Sequence, residues 1–421
     1  MRIQHFSPLV LFSSVVLTAG LLTACLGSKS TSGGGAAPPP VVNTMAVTVD
    51  SGPAAATGAI NHAYVTVRVC APGSTTQCAN IDHVLLDTGS WGLRLVRSVL
   101  AAGTVTLAAQ TDSQGRAIEE CESFGGGQTW GPVALADITL AGETASKVPV
   151  QIMDDTNTGA PPPAPCGTNG TLLNDVAGFH ANGLLGVGVL VQDCGTACVS
   201  AASPLPVYYG CTASGVCTAE NVPLASQVTN PVSLFAADNN GIIVNMANLI
   251  NANGDASVTG ELTFGIGTQT DNALPPALTV LGADPATGDF KATYASATYS
   301  SGATPLPALI DSGTDDYAFN DPTMTVCSTG SFIGNYCPSV APQSVSATNI
   351  GVGVNNGTGR VDFAIGDANT FVITAAAFGT LGGGGGSTNF TWGMPFFYGR
   401  KIYIGIDHRA AGTYTGPFYA Y

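Results

Sequence analysis

The chain has 421 residues, 45% of them hydrophobic and only 9% charged, with 54 Gly and 26 Pro. That excludes a disordered polyampholyte and supplies enough apolar side chains for a sizeable core. Asp and Glu number 27 against 12 Lys and Arg, a net charge of −15, so a nucleic-acid partner is excluded: phosphate binding needs clustered cations.

Taken in chain order, Arg2 and His5 precede an uncharged, mostly apolar stretch at 8–22 (PLVLFSSVVLTAGLL). It is short for a bilayer span and reads as the core of a signal peptide over 1–24. Leu22-Thr23-Ala24-Cys25 looks like a bacterial lipobox, which marks Cys25 for lipidation. Leu26 after that cysteine resembles the sorting pattern for the outer membrane. Residues 25–42 then form a Gly/Ser-rich and finally Pro-rich tether. A monomer held to a membrane by its lipid is expected, in the cell envelope on the periplasmic or surface face.

From residue 43 onward, short β-type runs are broken by Gly, Pro, Asn and Asp: HAYVTVRVC (62–70), HVLLD (83–87), PVALADITLAG (132–142) and VPVQIM (148–153). This predicts a mostly β protein. VSLFAADN (232–239) and DPTMTV (321–326) are the candidate short helices, and the Gly run 382–386 reads as a mobile surface loop. Ten cysteines remain beside Cys25: Cys70, Cys78, Cys121, Cys166, Cys194, Cys198, Cys211, Cys217, Cys327 and Cys337. An even number in an exported chain predicts five disulfides. Spacing suggests the short loops Cys70–Cys78 and Cys327–Cys337 and a cluster over 194–217; Cys121–Cys166 is left over if that cluster pairs internally, and connectivity stays open. Cysteine pairs without matched C-x-x-C spacing and scattered histidines give no metal site. No P-loop, dinucleotide fingerprint or G-x-S-x-G elbow appears, so no cofactor and no serine hydrolase chemistry are expected.

The informative feature is an internal repeat. HVLLDTGSWGL (83–93) and PALIDSGTDDY (307–317) both run apolar residues into Asp, a small hydroxyl residue, Gly and a second hydroxyl residue. Each is followed by an apolar strand ending in Gly, NGLLGVG (182–188) and FTWGMPF (390–396). Asp87 and Asp311 lie 224 positions apart, one lobe's length. Two carboxylates held together cannot readily ionise at once, so they share one proton and can serve as base and acid around a water. Thr88 and Ser312 could hydrogen-bond across such a pair, Gly89 and Gly313 allow the tight turn, and Ser90 and Thr314 could hold the outer carboxylate oxygens.

These motifs resemble the two signatures of pepsin-like, two-lobed aspartic peptidases. The resemblance implies a mostly β, bilobal fold with a pseudo-two-fold internal repeat and catalytic Asp87 and Asp311. Leu184-Leu185-Gly186 and Thr391-Trp392-Gly393 stand where that family has its supporting strands, although Thr391 departs from the pattern. ESFGGGQTWGPVALADITLAG (122–142) resembles the flap hairpin, with Phe124, Gly125, Gly126 and Gly127 at its substrate-binding tip. The implied lobes are 43–265, with a Cys-rich insertion near 191–222, and 266–421. The chain is also similar to uncharacterised lipoproteins of Gram-negative bacteria that form a divergent branch. Phe124 replaces the family's usual flap Tyr, and Arg94 the Trp that often partners it, so both halves of that contact are expected to be missing. Asp315 and Asp316 read as solvated turn charges, and His83 as a structural residue sharing a strand face with Leu85 and Asp87. The implied function is an aspartic endopeptidase acting on an extended peptide. The alternative is an inactive peptide- or protein-binding envelope lipoprotein that keeps the fold.

Overall fold

The computed structural model describes residues 42–421 apart from 165, 167–170 and 385–387. The expected signal peptide, Cys25 and nearly all of the tether lie outside the described residues. Residues from Val42 to Tyr421 form one compact unit, and none of its helices is long and apolar enough to cross a membrane.

The mostly β expectation holds. A 15-stranded sheet carries the strands from Thr44 to Phe264 and is completed by Val280–Gly282, Lys401–Gly405 and Phe418–Ala420 from the chain's end. A seven-stranded sheet takes the strands between Phe290 and Trp392. The two halves of the sequence are stitched where Gly241–Met246 pairs antiparallel with Lys401–Gly405. One apolar cluster then runs through both halves, with Leu86, Leu185 and Ile242 in the same packed body as Ile310, Trp392 and Ile404. Burying each such side chain contributes about 1.5–3 kcal/mol.

Local sequence explains the strands. In Ala63–Cys70, Val65, Val67 and Val69 are buried while Thr66 and Arg68 are exposed, the period of two for a sheet with one wet face. The next strand, Cys78–Asp87, ends in four consecutive buried residues, Val84 to Asp87, as a strand covered on both faces must. A register shift opposite Thr66 interrupts it, and His83 there has φ 45°. The extra residue lies before Val84, so His83 keeps the face of Leu85, and its ring packs on Tyr64, the cross-strand partner of Leu85, beside Asp50 and Asp82.

Two local expectations are corrected. Residues 232–239 form only a 3-10 turn, Pro231–Leu234, because Asn230 caps Val232 and the turn closes at Phe235. Residues 321–326 form no helix: the Asp321 carboxylate captures the Thr323 amide and hydroxyl, and Val326 bridges Tyr336 instead. Gly382 and Gly383, expected in a surface loop, are a buried two-residue strand against Tyr317 and Ala318; Gly385 and Gly386 lie outside the described residues. All five disulfides form: Cys70–Cys78, Cys121–Cys166, Cys194–Cys198, Cys211–Cys217 and Cys327–Cys337.

Candidate active site

The two halves of the repeat build the same device. Strand Cys78–Asp87 delivers Asp87, the chain turns through Thr88-Gly89-Ser90, and Trp91–Val96 leaves. Gly183–Val187 threads between them, parallel to the first with Asp87 opposite Gly186, and antiparallel to the second with Gly92 opposite Gly186. In the second half, Phe390–Trp392 lies in the same way between Leu306–Ile310 and Tyr317–Ala318. Trp392 accepts from the Asp311 amide at 2.9 Å. The supporting strands sit where the sequence placed them, and Thr391 is tolerated because its neighbours Phe390 and Trp392 supply the buried face.

Each carboxylate is held alike. Gly89 N and Ser90 Oγ donate to Asp87 at 2.8 and 2.5 Å. Gly313 N and Thr314 Oγ1 donate to Asp311 at 2.8 and 2.6 Å. Across the two halves, Thr88 Oγ1 donates to Ile310 O at 2.8 Å while Ser312 Oγ donates to Leu86 O at 2.6 Å. The amides reciprocate: Ser312 N donates to Thr88 Oγ1 at 2.9 Å and Thr88 N to Ser312 Oγ at 3.2 Å.

This lock brings each glycine onto the other half's carboxylate. A Cβ on Gly89 would lie 2.5 Å from Asp311 Cγ, and one on Gly313 would lie 2.8 Å from Asp87 Cγ. Only glycine permits that approach. Burial pushes the Asp87 carboxyl well above its ordinary range, and the charge and hydrogen bond of Asp311 push the same way, against the donors Ser90 and Gly89. The pair therefore favours holding one proton.

The hairpin of Ala117–Phe124 and Gly127–Leu140 pairs to its tip, with Phe124 opposite Gly127 and an exposed Gly125-Gly126 turn. Phe124 packs edge-on to Phe179 at 5.7 Å and joins the apolar group of Tyr64, Leu85 and Leu184. Leu85 shares the strand face of Asp87, which puts the hairpin on the dyad's side. The contact thought missing is rebuilt: Arg94, fully buried, lays its guanidinium 5.5 Å from the centre of the Phe124 ring.

Sequence reading missed the group around Arg94. Glu120 and Glu122 share the Phe124 face of their strand by the period of two. Arg94 Nη2 is 2.6 Å from Glu120, 3.2 Å from Asp193 and 3.5 Å from Glu122, and Nη1 donates to Trp91 O. The signal was available: Arg94, Glu120 and Glu122 all fall in strands of a chain with so few charges. The three carboxylates lie within 4.8 Å of one another, but the guanidinium already supplies the positive charge a metal would bring. Asp315 is exposed, as a turn charge should be, whereas Asp316 is not. Asp315 pairs with His62 Nε2 at 3.1 Å and accepts from Asn61 Nδ2 at 2.6 Å through its carbonyl. Asp316 turns inward to Asn335 at 2.9 Å, and burial pushes its carboxyl up to about 7, aided by the charge of Asp315.

A family model described as "Protein of unknown function (DUF3443)" matches residues 39–421. The chain belongs to that family. No curated protein matches its sequence. Among solved structures, an aspartic proteinase from Irpex lacteus is similar at 14% identity, covering 89% of this chain and 96% of that chain, with a TM-score of 0.49. The dyad geometry above stands apart from that likeness.

Proposed function

We propose that this chain is an aspartic endopeptidase of pepsin-like architecture, with Asp87 and Asp311 as its catalytic residues. The observation that carries the reading is the reciprocal Thr88–Ser312 lock, which seats two carboxylates against each other's glycines. Water held between them gives its proton to the ionised carboxylate as its oxygen bonds to the scissile carbonyl carbon. The protonated partner donates to the carbonyl oxygen, forming a tetrahedral diol. Collapse of the diol breaks the C–N bond as a proton passes to the leaving nitrogen, and the pair ends with the single proton it began with. The Phe124–Gly127 tip would close over an extended peptide and shield that water.

A second reading is a peptide-binding protein that does not cut. Phe124 favours it, since that side chain can give no hydrogen bond to a substrate. Cleavage of a mixed peptide library from pH 3 to 7, beside Asp87→Asn and Asp311→Asn proteins, decides. Cleavage abolished in both variants supports the peptidase; binding without cleavage by the folded wild type supports the alternative.

We further propose export and anchoring through lipid on Cys25 at the outer membrane. The lipobox-like Leu22–Cys25 and the five disulfides support this. Metabolic labelling with a fatty acid, present in the wild type and absent in Cys25→Ala, tests it.

A further inference from the structure

The flap hairpin is braced unevenly. On its outer edge, Tyr208–Cys211 from the Cys-rich insertion pairs with Ala117–Glu120, and the last bond of that side runs from Cys121 N to Val207 O. On its other edge, residues 171–173 bond both the amide and carbonyl of Gln128. Glu122, Ser123 and Phe124 lie beyond the insertion's pairing and, among the described residues, pair with the hairpin's own partner strand alone. There the side-chain grip of Arg94 takes over: its guanidinium stacks on Phe124 and pairs with Glu120 and Glu122 of the flap and with Asp193 at the foot of the insertion.

We propose that Arg94 is a positioning residue that clamps the flap tip onto the cleft, and that Glu122 releases the clamp when it loses its proton. The proposal rests on the cleft reading above. The groups facing Arg94 are Glu120 and Glu122 from the flap, Asp193 from the loop after Gly183–Val187, and the Tyr208 hydroxyl, which donates to Asp193 at 2.6 Å. Three ionised carboxylates against one guanidinium would leave two uncompensated negative charges in a buried site, an arrangement proteins avoid. Glu120 is fully buried, and burial pushes its carboxyl well above the ordinary range, with the charge of Asp193 pushing the same way against Arg94. Glu122 is the member that reaches solvent, and burial pushes its carboxyl up to about 7.

The clamped state thus binds a proton that the opened state, with Glu122 in water, would give up. Linkage then weakens the clamp as pH rises from the ordinary Glu range through 7. If opening returns Glu122 to its ordinary value, the closed-to-open ratio falls about 20-fold between pH 5.5 and 7.5. Ionised Glu122 carries the strand end two residues before Phe124, so the ring leaves the guanidinium with it.

Hydrogen exchange of amides 122–128 in the whole protein, without substrate, reads the clamp directly. After correction for intrinsic rates, wild-type protection should fall about 20-fold from pH 5.5 to 7.5. Glu122→Gln, which cannot ionise, should hold the same protection at both. Arg94→Lys, which keeps the charge without the stacking plane, should show low protection at both while still melting cooperatively. Unchanged wild-type protection, or the same fall in Glu122→Gln, overturns the proposal. Where peptide cleavage is measurable, KM should rise above pH 7 in the wild type and stay level in Glu122→Gln. Exchange needs no catalysis, so cleavage surviving Asp87→Asn would overturn the peptidase reading and leave the clamp standing.

Discussion

Thr88 and Ser312, 224 residues apart, hold each other's backbone: each amide donates to the other's hydroxyl oxygen, and each hydroxyl donates onward to the strand carrying the other's aspartate. Replacing Thr88 by Val keeps the shape but strips the Ser312 amide and the Ile310 carbonyl of partners in a buried place. Each orphaned group costs about 1–3 kcal/mol, so Thr88→Val should lower unfolding free energy by about 2–4 kcal/mol in denaturant melts. Ser312→Ala should cost as much, and the double variant less than the sum, because the two share one network.

Gly89→Ala tests the approach of the two halves. The new methyl would meet the Asp311 carboxylate at 2.5–2.7 Å, so the carboxylate must move. Displacement of a reacting group by about 1 Å can cost 10²-fold in rate. Peptide cleavage should therefore fall about 100-fold or more while the melting temperature changes little, and retention of full activity would remove the case for a dyad pinned by this contact.

Loss of either aspartate should remove acid–base assistance altogether. Asp87→Asn and Asp311→Asn should each lower cleavage by at least about 10²–10⁴-fold, with secondary structure by circular dichroism unchanged.

The fold should be most stable in mild acid. Burial, first among the causes in each case, pushes Glu119 up to about 8 and Glu122, Glu220 and Asp316 up to about 7. A carboxyl whose folded value lies above its unfolded one binds its proton more tightly when folded. Its contribution is complete below the ordinary carboxylate range and is lost as pH rises through 7 to 8. Against the pull of burial, hydrogen bonds from Thr156 and Thr323 hold Asp154 and Asp321 below their ordinary range. They contribute above that range, and the contribution is lost as pH drops through their lowered values. The melting temperature should peak near pH 5 and fall by several degrees by pH 8; a curve rising toward pH 8 would contradict these shifts.

Cys121–Cys166 closes a loop 45 residues apart between the flap strand and the segment behind it. In the chain-entropy model a loop of that length contributes about 4 kcal/mol. Replacing both cysteines by Ala should cost that much in denaturant melts, the largest loss among the five pairs, since the others close loops of 4 to 10 residues.

Much of the site was legible because its chemistry is local. Asp-hydroxyl-Gly-hydroxyl is a complete instruction: the turn, the rotamer lock and the cross-halves bonds all come from four adjacent residues, written twice. The short-loop disulfides were legible for the same reason. What sequence hid was assembled at long range. Arg94 meets Glu120 and Asp193 across 26 and 99 residues, and a residue-by-residue comparison saw only a missing Trp and a missing Tyr. The pairing of the exposed Asp315 with His62 was hidden because His62 comes from the other half of the chain. Residues 321–326 failed as a helix because a single Asp side chain satisfied the turn's donors more cheaply than a helix would.

The Cys-rich insertion leaves the sheet ending in Cys217–Ala219, a three-residue strand tied back to its neighbour by Cys211–Cys217. Without it, the row of amides and carbonyls along Ala117–Glu120 would form an open border able to recruit any passing strand. The border that remains is too short and too tightly closed to template aggregation.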